Sequence, residues 1–435
     1  MKLTKFAATL AAAMLCAPQA LAQVEIQWWH SMGGQLGEAL NELANKFNAE
    51  QKDYRIVTSY KGSYPESMTA AIAAFRAGQA PHLLQVFEVG TATMMAAKGA
   101  VKPVYQLMKE QGEPFDPKVY LPTVTGYYSD PQGNLLSLPF NSSTALFYID
   151  RNKFKQAGLP PVPPKTWKEL LAAAEKLKAA GQNCVYTTGW PSWVHVENFS
   201  AWHNVPIGTK QNGMAGFDTQ FTINSPAHVK HVEMLADMAK RGLFTYAGRT
   251  NQADSRFAAG ECAMATISAG ALGNIIKTGK TDWQISVLPY HDDVKGAPQN
   301  SVIGGASLWV MSGRKPEEYK GVAKFMSFLS RPEVQMDWHM KTGYVPITLA
   351  AFDLTKKSGF YDKNPGRDMA VRQLTNKPPT ENSKGLRFGN FVQGRTVIEE
   401  ELEAAFAGRK TAKAALDDAV KRGNEILRQF EAANK

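Results

Sequence analysis

Strand-like and helix-like segments alternate along the first part of this chain. Apolar and polar residues alternate over 24–28, as in a strand with one buried face, and apolar residues recur at helical spacing over 36–47. A second strand is predicted over 54–60, a helix over 66–76 and a third strand over 83–87. Because consecutive parallel strands are joined by crossover helices, this order predicts an α/β unit built on a parallel sheet.

A second unit is predicted after the turn at 130–134, where the apolar segment 145–149 has the pattern of a buried strand. Its best-defined helix begins at Thr166, because Thr166 and Glu169 match a capping box, and Gly181 is the stop signal. The chain has 435 residues, 44% of them hydrophobic, which is enough apolar material for two compact units.

The rest of the chain adds two helices and a loop. Helical patterning returns over 319–329 and 411–430, whereas 376–384 is polar and contains proline, so a loop is predicted there. After residue 22, no stretch has the roughly 18 consecutive apolar residues that a membrane span requires. We therefore expect a mature chain that is not membrane-embedded.

The first 22 residues have the pattern of a secretory signal peptide, with early positive charge, an apolar run and the small-residue segment 20–22. A lipoprotein cysteine at Cys16 is less favoured, because the preceding Leu15 is not the small residue usual at such sites. We therefore expect a mature protein that starts near Gln23 and resides in the periplasm.

Charge and cysteine content narrow the classes of function. Loss of Lys2 and Lys5 with the signal peptide lowers the formal net charge from +10 to +8. The remaining basic residues are scattered among acids rather than clustered with aromatic residues, so no nucleic-acid partner is expected. Cys184 and Cys262 lack metal-type spacing, and they either form a disulfide or stay as two buried thiols.

Two segments come close to catalytic or metal-binding motifs, and neither fits. The segment 274–281 resembles the end of a phosphate-binding loop, but Gly273 stands one position too early for its first glycine. His228 and His231 are three apart rather than four and Glu233 lies outside the pair, so we expect helix-surface residues. No G-x-S-x-G motif occurs. We expect no catalytic residues, no metal and no cofactor.

Aromatic and small polar residues collect at the predicted ends of strands and helices, where ligand sites of open α/β sheets lie. The segments concerned are 59–64, 87–88, 141–144, 189–193 and 343–344. Trp190 and Trp193 are expected in a loop near the surface. There they would stack on the C–H face of a polyol or on a choline-type cation.

Several longer strings carry a family resemblance. The chain resembles the extracytoplasmic solute-binding proteins of ABC importers, through the general marks 163–167, 257–264 and 304–310. Narrower marks, similar to those of the members that bind sn-glycerol-3-phosphate, are 60–64, 85–95, 139–144 and 341–348. The resemblance extends over essentially the whole mature chain.

The resemblance implies an α/β, periplasmic-binding-protein-like fold, with two α/β lobes joined by a hinge that the chain crosses several times and a ligand cleft between them. We expect residues 23–140 and 291–345 in lobe 1, and 141–290 and 346–435 in lobe 2. The family implies a monomer that captures its solute and delivers it to the transmembrane subunits of an ABC permease.

The ligand that the resemblance implies is sn-glycerol-3-phosphate or a glycerophosphodiester such as glycerophosphocholine. Nine ligand-binding positions are carried over from the family: Tyr64, Glu88, Ser143, Trp190, Trp193, Ser268, Gly305, Tyr344 and Arg395. Arg387 is the alternative to Arg395.

The chemistry of these residues divides between two ends of such a ligand. Arg395 offers a bidentate fork to phosphate, with hydroxyl donors and the Gly305 N–H beside it. Glu88 would repel phosphate, so we expect it at the far end with Tyr64 beside it, where it accepts hydrogen bonds from glycerol hydroxyls. This hypothesis predicts an acid at one end of the site and a cation at the other. It also predicts that loss of Arg395 weakens binding more than loss of either serine.

Two alternatives remain at this point. A binding protein for an oligosaccharide would use the tryptophans as stacking platforms on the same fold. A secreted hydrolase of glycerophosphodiesters would belong to a different functional class.

Overall fold

The computed structural model describes residues 23–97, 99–130 and 132–435, so the predicted signal peptide lies outside the described residues. Within these ranges, one β-sheet has six strands and a second has five. In chain order the strands are β1 (Val24–His30), β2 (Tyr54–Tyr60), β3 (Leu83–Phe87), β4 (Val101–Lys102), β5 (Leu138–Ser143), β6 (Ala145–Asp150), β7 (Cys184–Thr188), β8 (Phe244–Tyr246), β9 (Cys262–Ser268), β10 (Trp283–Ser286) and β11 (Gly304–Met311).

The first sheet has the order β2-β1-β3-β11-β4, with β5 also paired to β11. β1 pairs in parallel with β2 and β3, which confirms the parallel arrangement predicted for the first three strands. β11 comes from much later in the chain and pairs antiparallel with β3, β4 and β5. The second sheet has the order β10-β6-β9-β7-β8, and both sheets are therefore mixed.

Helices cover both sheets. The α-helices are Gly34–Glu50, Tyr64–Arg76, Thr91–Ala96, Val104–Glu110, Pro122–Tyr128, Arg151–Gln156, Trp167–Ala179, Phe199–Trp202, Thr209–Asn212, Pro226–Lys240, Gln252–Ala258, Leu272–Thr278, Pro316–Leu329, Pro332–Thr342, Leu349–Lys357, Phe360–Lys363, Met369–Leu374, Phe391–Phe406 and Ala412–Ala433. Among the described residues, none of these helices is both long and apolar enough to cross a membrane.

The capping box predicted from the sequence is confirmed. The Thr166 hydroxyl accepts the Glu169 N–H at 3.1 Å, and the Glu169 carboxylate accepts the Thr166 N–H at 3.2 Å. These bonds satisfy two backbone donors at the start of helix Trp167–Ala179. The later helical patterns are also confirmed, as Pro316–Leu329 and Ala412–Ala433.

The chain passes between the two sheets more than once, and the unit built on each sheet is called a lobe below. It changes sheet at Thr144, between β5 and β6, and returns over 287–303, between β10 and β11. The lobe limits drawn from the sequence stay a prediction. The limit between residues 140 and 141 falls inside β5, which lies wholly in the first sheet.

Hydrogen bonds join the crossing segments to one another. Thr144 Oγ1 and Ser301 Oγ, on the first and second crossings, lie 2.8 Å apart. Gln373, which comes after a further passage of the chain, donates from Nε2 to Thr144 Oγ1 at 3.2 Å and to the Ala145 carbonyl at 2.7 Å. All three side chains are buried, so the connection between the lobes is a packed polar junction.

The second sheet contains a disulfide. Cys184 on β7 and Cys262 on β9 are register partners in the parallel pair, with their Cα atoms 4.5 Å apart, and their sulfur atoms are bonded. The sequence left open whether these residues pair or remain thiols, and the structure shows the pair. The bond joins the two strands across 78 residues of chain.

The expectation that His228 and His231 lie on a helix surface is wrong. They are 1% and 0% exposed and face the interior of the second lobe, whereas Glu233 on the same helix is exposed. His231 is stacked against Phe199 and has its edge toward Trp167. Apart from Ser225 at the start of the same helix, their hydrogen-bond partners come from other segments of the chain, which the helical spacing could not indicate.

Five buried histidines lie close together in this lobe. Hydrogen bonds link four of them, whereas His228 bonds to Ser200 and Ser225. His231 lies between two others, with its Nε2 3.0 Å from His195 Nδ1 and its Nδ1 3.1 Å from His291 Nε2. A neutral imidazole donates one such bond and accepts the other. Burial lowers the pKa of His195, His203 and His228 to about 3, and that of His291 to about 4.

Acid is expected to destabilise the fold through these histidines. Their folded-state pKa values lie below the unfolded value of 6.5. The stability that the neutral histidines contribute is therefore complete above pH 6.5 and is lost as the pH falls toward about 3. Each of these histidines is expected to lower the free energy of unfolding by about 2 kcal/mol between pH 7 and pH 5. Asp254 and Glu399, whose pKa values burial raises to about 8 and about 7, act in the opposite direction and reduce the net loss.

Urea unfolding at pH 7.5, 6 and 5 measures this effect. The matched variant is His228→Gln, which retains hydrogen-bonding groups for Ser200 and Ser225 but does not titrate. Its free energy of unfolding should depend less steeply on pH than that of the wild type. Equal slopes in the two proteins would contradict the prediction.

Candidate functional site

A cavity of about 300 Å³ lies between the two lobes. All nine residues that the sequence predicted for ligand binding line it, although they come from positions 64 to 395 of the chain. Residues from the first sheet face residues from the second across this space. A ligand held here would contact both lobes.

The ends of strands place four of these residues. Glu88 follows the last residue of β3, and Ser143 and Ser268 are the last residues of β5 and β9. Gly305 is the second residue of β11, which runs in the opposite direction, so its start lies at the same edge of the first sheet. Carboxyl ends of strands are where side chains converge on a ligand in open α/β sheets.

Gly305 stands at a position that only glycine fits. Its φ is +90°, in the left-handed region, and an added Cβ would lie 1.8 Å from the Asn141 carbonyl oxygen. β5 and β11 therefore approach each other at the cavity wall more closely than a side chain would allow.

Aromatic rings form one side of the cavity. Tyr64, the first residue of its helix, stacks on Phe87 with ring centroids 5.1 Å apart and an interplanar angle of 7°. The Trp190 ring is 6.5 Å from that of Tyr64, and its backbone has a φ of 51°, which is strained for a residue with a side chain. Trp193 is 3% exposed, so the expectation that it lies near the surface is wrong.

A buried cluster of charges joins the lobes beside the cavity. Arg395, on helix Phe391–Phe406, donates from Nε to Glu197 Oε1 at 2.9 Å and from Nη2 to Glu197 Oε2 at 2.6 Å. The same Nη2 also donates to Glu88 Oε1 at 2.7 Å. Glu197 follows β7 in the second lobe, whereas Glu88 belongs to the first. Arg395 therefore bridges two carboxylates from different lobes.

The electrostatics of this cluster follow from its burial. Burial raises the pKa of Glu88, and the neighbouring Glu197 raises it further, while Arg395 opposes both effects. Burial disfavours the charge of Arg395, but Glu197 and Glu88 together hold the pKa of the guanidinium above its ordinary value. The arginine therefore stays charged, and its positive charge compensates the buried carboxylates of Glu88 and Glu197.

The predicted separation of acid and cation is wrong. Glu88 and Arg395 are in contact, because the guanidinium fork is occupied by Glu197 and reaches Glu88 from the same side. With two carboxylates on one guanidinium, this end of the cavity carries no excess of positive charge for a phosphate. Among the described residues, Arg395 Nη1 donates no hydrogen bond and Glu88 Oε2 accepts none from another residue.

Neutral hydroxyl groups occupy another part of the cavity wall. Tyr64, Tyr344, Ser143 and Ser268 all line it. The Ser268 oxygen accepts the Gly270 N–H at 3.1 Å, which leaves its own proton to be donated. Burial raises the pKa of Tyr344 to about 12, so this hydroxyl keeps its proton at physiological pH. Such groups bind an anion by donation without adding charge.

The comparison with known families decides the class of protein. The family described as "Bacterial extracellular solute-binding protein" matches residues 42–368 of this chain. This chain is a member of that family.

Curated relatives of this solute-binding protein extend over nearly its full length. It is 52% identical over 433 residues to the sn-glycerol-3-phosphate-binding periplasmic protein UgpB of Yersinia pseudotuberculosis, covering 99% of this chain and 98% of the relative. It is 53% identical over 431 residues to the protein of the same name from Pectobacterium atrosepticum, covering 99% and 97%.

Solved structures confirm the predicted fold class. UgpB from Mycobacterium tuberculosis in complex with glycerophosphocholine matches with a TM-score of 0.79 at 21% identity, covering 93% of this chain and 98% of that one. Maltose-bound T. maritima MalE3 matches with a TM-score of 0.76 at 18% identity, covering 92% and 99%. The solute-binding protein thus has the two-lobed α/β architecture of this class.

Two acidic residues at the site of this solute-binding protein were not predicted from the sequence. The preference for Arg395 over Arg387 as a cavity residue is confirmed. Glu197 was missed; it lies beside the cavity in contact with Arg395, and an acid in a segment rich in apolar residues, 193–199, was a signal of a buried partner. Asp254 was also missed; it lines the cavity, and its shielded Oδ1 has no partner among the described residues. Arg395 lines the cavity, whereas the alternative, Arg387, donates to backbone carbonyls elsewhere.

Proposed function

We propose that this protein captures sn-glycerol-3-phosphate, or a glycerophosphodiester such as glycerophosphocholine, and delivers it to the transmembrane subunits of an ABC permease. The observation that carries the proposal is the 52% identity, over 99% of the chain, to a relative named as an sn-glycerol-3-phosphate-binding periplasmic protein. The same relatives support a periplasmic location, in keeping with the signal peptide predicted at 1–22.

The cavity supports a particular orientation of that ligand. Arg395 Nη1 and Glu88 Oε2 offer a donor beside an acceptor, which matches the two adjacent hydroxyls of a glycerol unit. The phosphate is then held by the hydroxyls of Tyr64 and Tyr344, with Ser143 and Ser268 as further donors. This orientation replaces the predicted one, in which Arg395 contacted the phosphate.

Binding would favour the closed arrangement of the lobes. Tyr64, Tyr344 and Glu88 lie on one side of the cavity. Ser268 and Trp190 lie on the other. A solute that contacts both sets gains contacts only when the lobes are together, so it shifts the population toward the closed state. The closed, loaded form is the one we expect the permease to accept.

Calorimetric titration tests the ligand. We expect sn-glycerol-3-phosphate or glycerophosphocholine to bind at least about 100-fold more tightly than glycerol or inorganic phosphate, because each fragment leaves one set of buried polar groups unpaired. Maltose is the control for the oligosaccharide alternative. The proposal would be overturned if maltose bound tightly and neither sn-glycerol-3-phosphate nor glycerophosphocholine bound.

The hydrolase alternative has a separate test. Incubation of the protein with glycerophosphocholine should release no choline above that of the buffer, while the same sample binds the compound. Turnover that rises in proportion to protein concentration would favour the enzyme.

A further inference from the structure

Two buried amides connect the backbone of the first lobe to the cavity wall. The Ser31 N–H donates to Gln85 Oε1 at 2.8 Å. Gln85 Nε2 then donates to Asn141 Oδ1 at 2.8 Å, and Asn141 Nδ2 donates to the Tyr64 hydroxyl oxygen at 3.0 Å. Gln85 and Asn141 are 2% and 0% exposed. Neither is among the described residues that line the cavity.

The direction of this chain of hydrogen bonds is set at its origin. A backbone N–H can only donate, so Gln85 must present its oxygen to Ser31 and its nitrogen to Asn141. Asn141 must then present its oxygen to Gln85 and its N–H groups to the cavity side. The Tyr64 oxygen therefore accepts, and its single proton is free to be donated into the cavity.

Tyr344 lies beside the same amide. Burial raises the pKa of its hydroxyl to about 12, so this hydroxyl keeps its proton at physiological pH. The Asn141 amide carries two N–H groups, and one of them is donated to Tyr64. Its backbone carbonyl is also the group that approaches Gly305, so the amide is attached to a fixed part of the cavity wall.

We propose that Gln85 and Asn141 are positioning residues that make Tyr64 a hydrogen-bond donor to the phosphate of the ligand. The inference rests on the proposed function and adds to it the origin of anion selectivity. An acceptor at position 141 would attract the Tyr64 proton to itself, and the phenol oxygen would then face the phosphate and repel it.

The test is the substitution Asn141→Asp, which keeps the shape of the side chain and replaces its two donors by an acceptor. Glycerophosphocholine is the probe, because its phosphodiester does not titrate near neutral pH. At pH 8 we expect affinity to fall by on the order of 100-fold, since donors to a charged group are lost and a buried carboxylate is added. Gln85→Glu interrupts the same chain of hydrogen bonds one step earlier. It is the test variant if Asn141→Asp does not fold.

The pH profile distinguishes positioning from simple structural damage. Between pH 8 and pH 5.5 a buried aspartic acid at position 141 takes up a proton and can donate again, so affinity should recover by about 10-fold or more. Asp254 lines the same cavity and burial raises its pKa to about 8, so it takes up a proton over this range in both proteins. The recovery is therefore measured as the ratio of the variant's affinity to that of the wild type at each pH. Loss of affinity without recovery at low pH would overturn the inference.

Ser142→Ala is the matched control. Ser142 is the next residue on β5, and its buried hydroxyl has no partner among the described residues, so this variant should bind as the wild type does. If Asn141→Asp and Gln85→Glu bound with wild-type affinity at pH 8, the inference would be overturned and the proposed function would stand. Failure of the wild type to bind either glycerophosphocholine or sn-glycerol-3-phosphate would overturn the proposed function, and this inference with it.

Discussion

Replacing Arg395 by methionine is expected to lower the free energy of unfolding by about 3–5 kcal/mol at neutral pH. The substitution leaves Glu88 and Glu197 buried beside each other without a cation, and both lose hydrogen bonds of 2.6–2.9 Å. It also removes the donor proposed for the glycerol hydroxyls, so ligand binding should be lost in calorimetric titration. Urea unfolding of the ligand-free proteins measures the stability change.

Two further variants separate the charge from the binding role of Arg395. Arg395→Lys keeps the charge but loses the fork that holds Glu197 through two nitrogens, so it should be more stable than Arg395→Met and still bind weakly. The triple variant Arg395→Met, Glu88→Gln and Glu197→Gln should regain much of the stability without regaining affinity. Wild-type unfolding behaviour of Arg395→Met would show that the cluster does not stabilise the junction between lobes.

Replacing Gly305 by alanine is expected to cost about 3 kcal/mol of stability, because a strained φ is combined with an overlap that no rotamer relieves. The new Cβ would lie 1.8 Å from the Asn141 carbonyl oxygen, so β5 and β11 must separate at the cavity wall. That movement displaces Ser143 and the Asn141 amide together. Affinity for the ligand should therefore fall by about 100-fold or more, as measured by titration.

Gly313→Ala is the matched control for this substitution. Gly313 also has a positive φ, +78°, but nothing lies within 4 Å of an added Cβ there. We expect a loss of about 1 kcal/mol from the backbone alone and unchanged affinity. If the two variants were equally stable and bound equally well, the close approach of β5 and β11 would not matter to the site.

Local features of the fold were predictable from the sequence. The capping box at Thr166 and Glu169 involves residues three apart, and the strand over 83–87 is a short apolar run, so each depends on interactions within one segment. The pairing of β11 with β3 joins positions more than two hundred residues apart. No periodicity in either strand indicates that partner.

The candidate site also combines features that were predictable from local sequence with features that depend on residues far apart in the chain. Matched strings identified residues such as Ser143 and Tyr344, and these do line one cavity. Their chemistry was harder to predict, because the contacts of Arg395 depend on Glu197, which stands 198 positions away in the sequence. A single unanticipated carboxylate changed the expected phosphate contact into a junction between lobes.

The disulfide between Cys184 and Cys262 makes the protein suitable for conversion into an optical sensor. In a chain that starts at Gln23, both cysteines are engaged, so a cysteine introduced at Tyr60 would be the single reactive thiol. Tyr60 lines the cavity and is 59% exposed, so a dye attached there would change its surroundings when the lobes move together. Fluorescence from such a conjugate would report solute concentration directly, without a coupled assay.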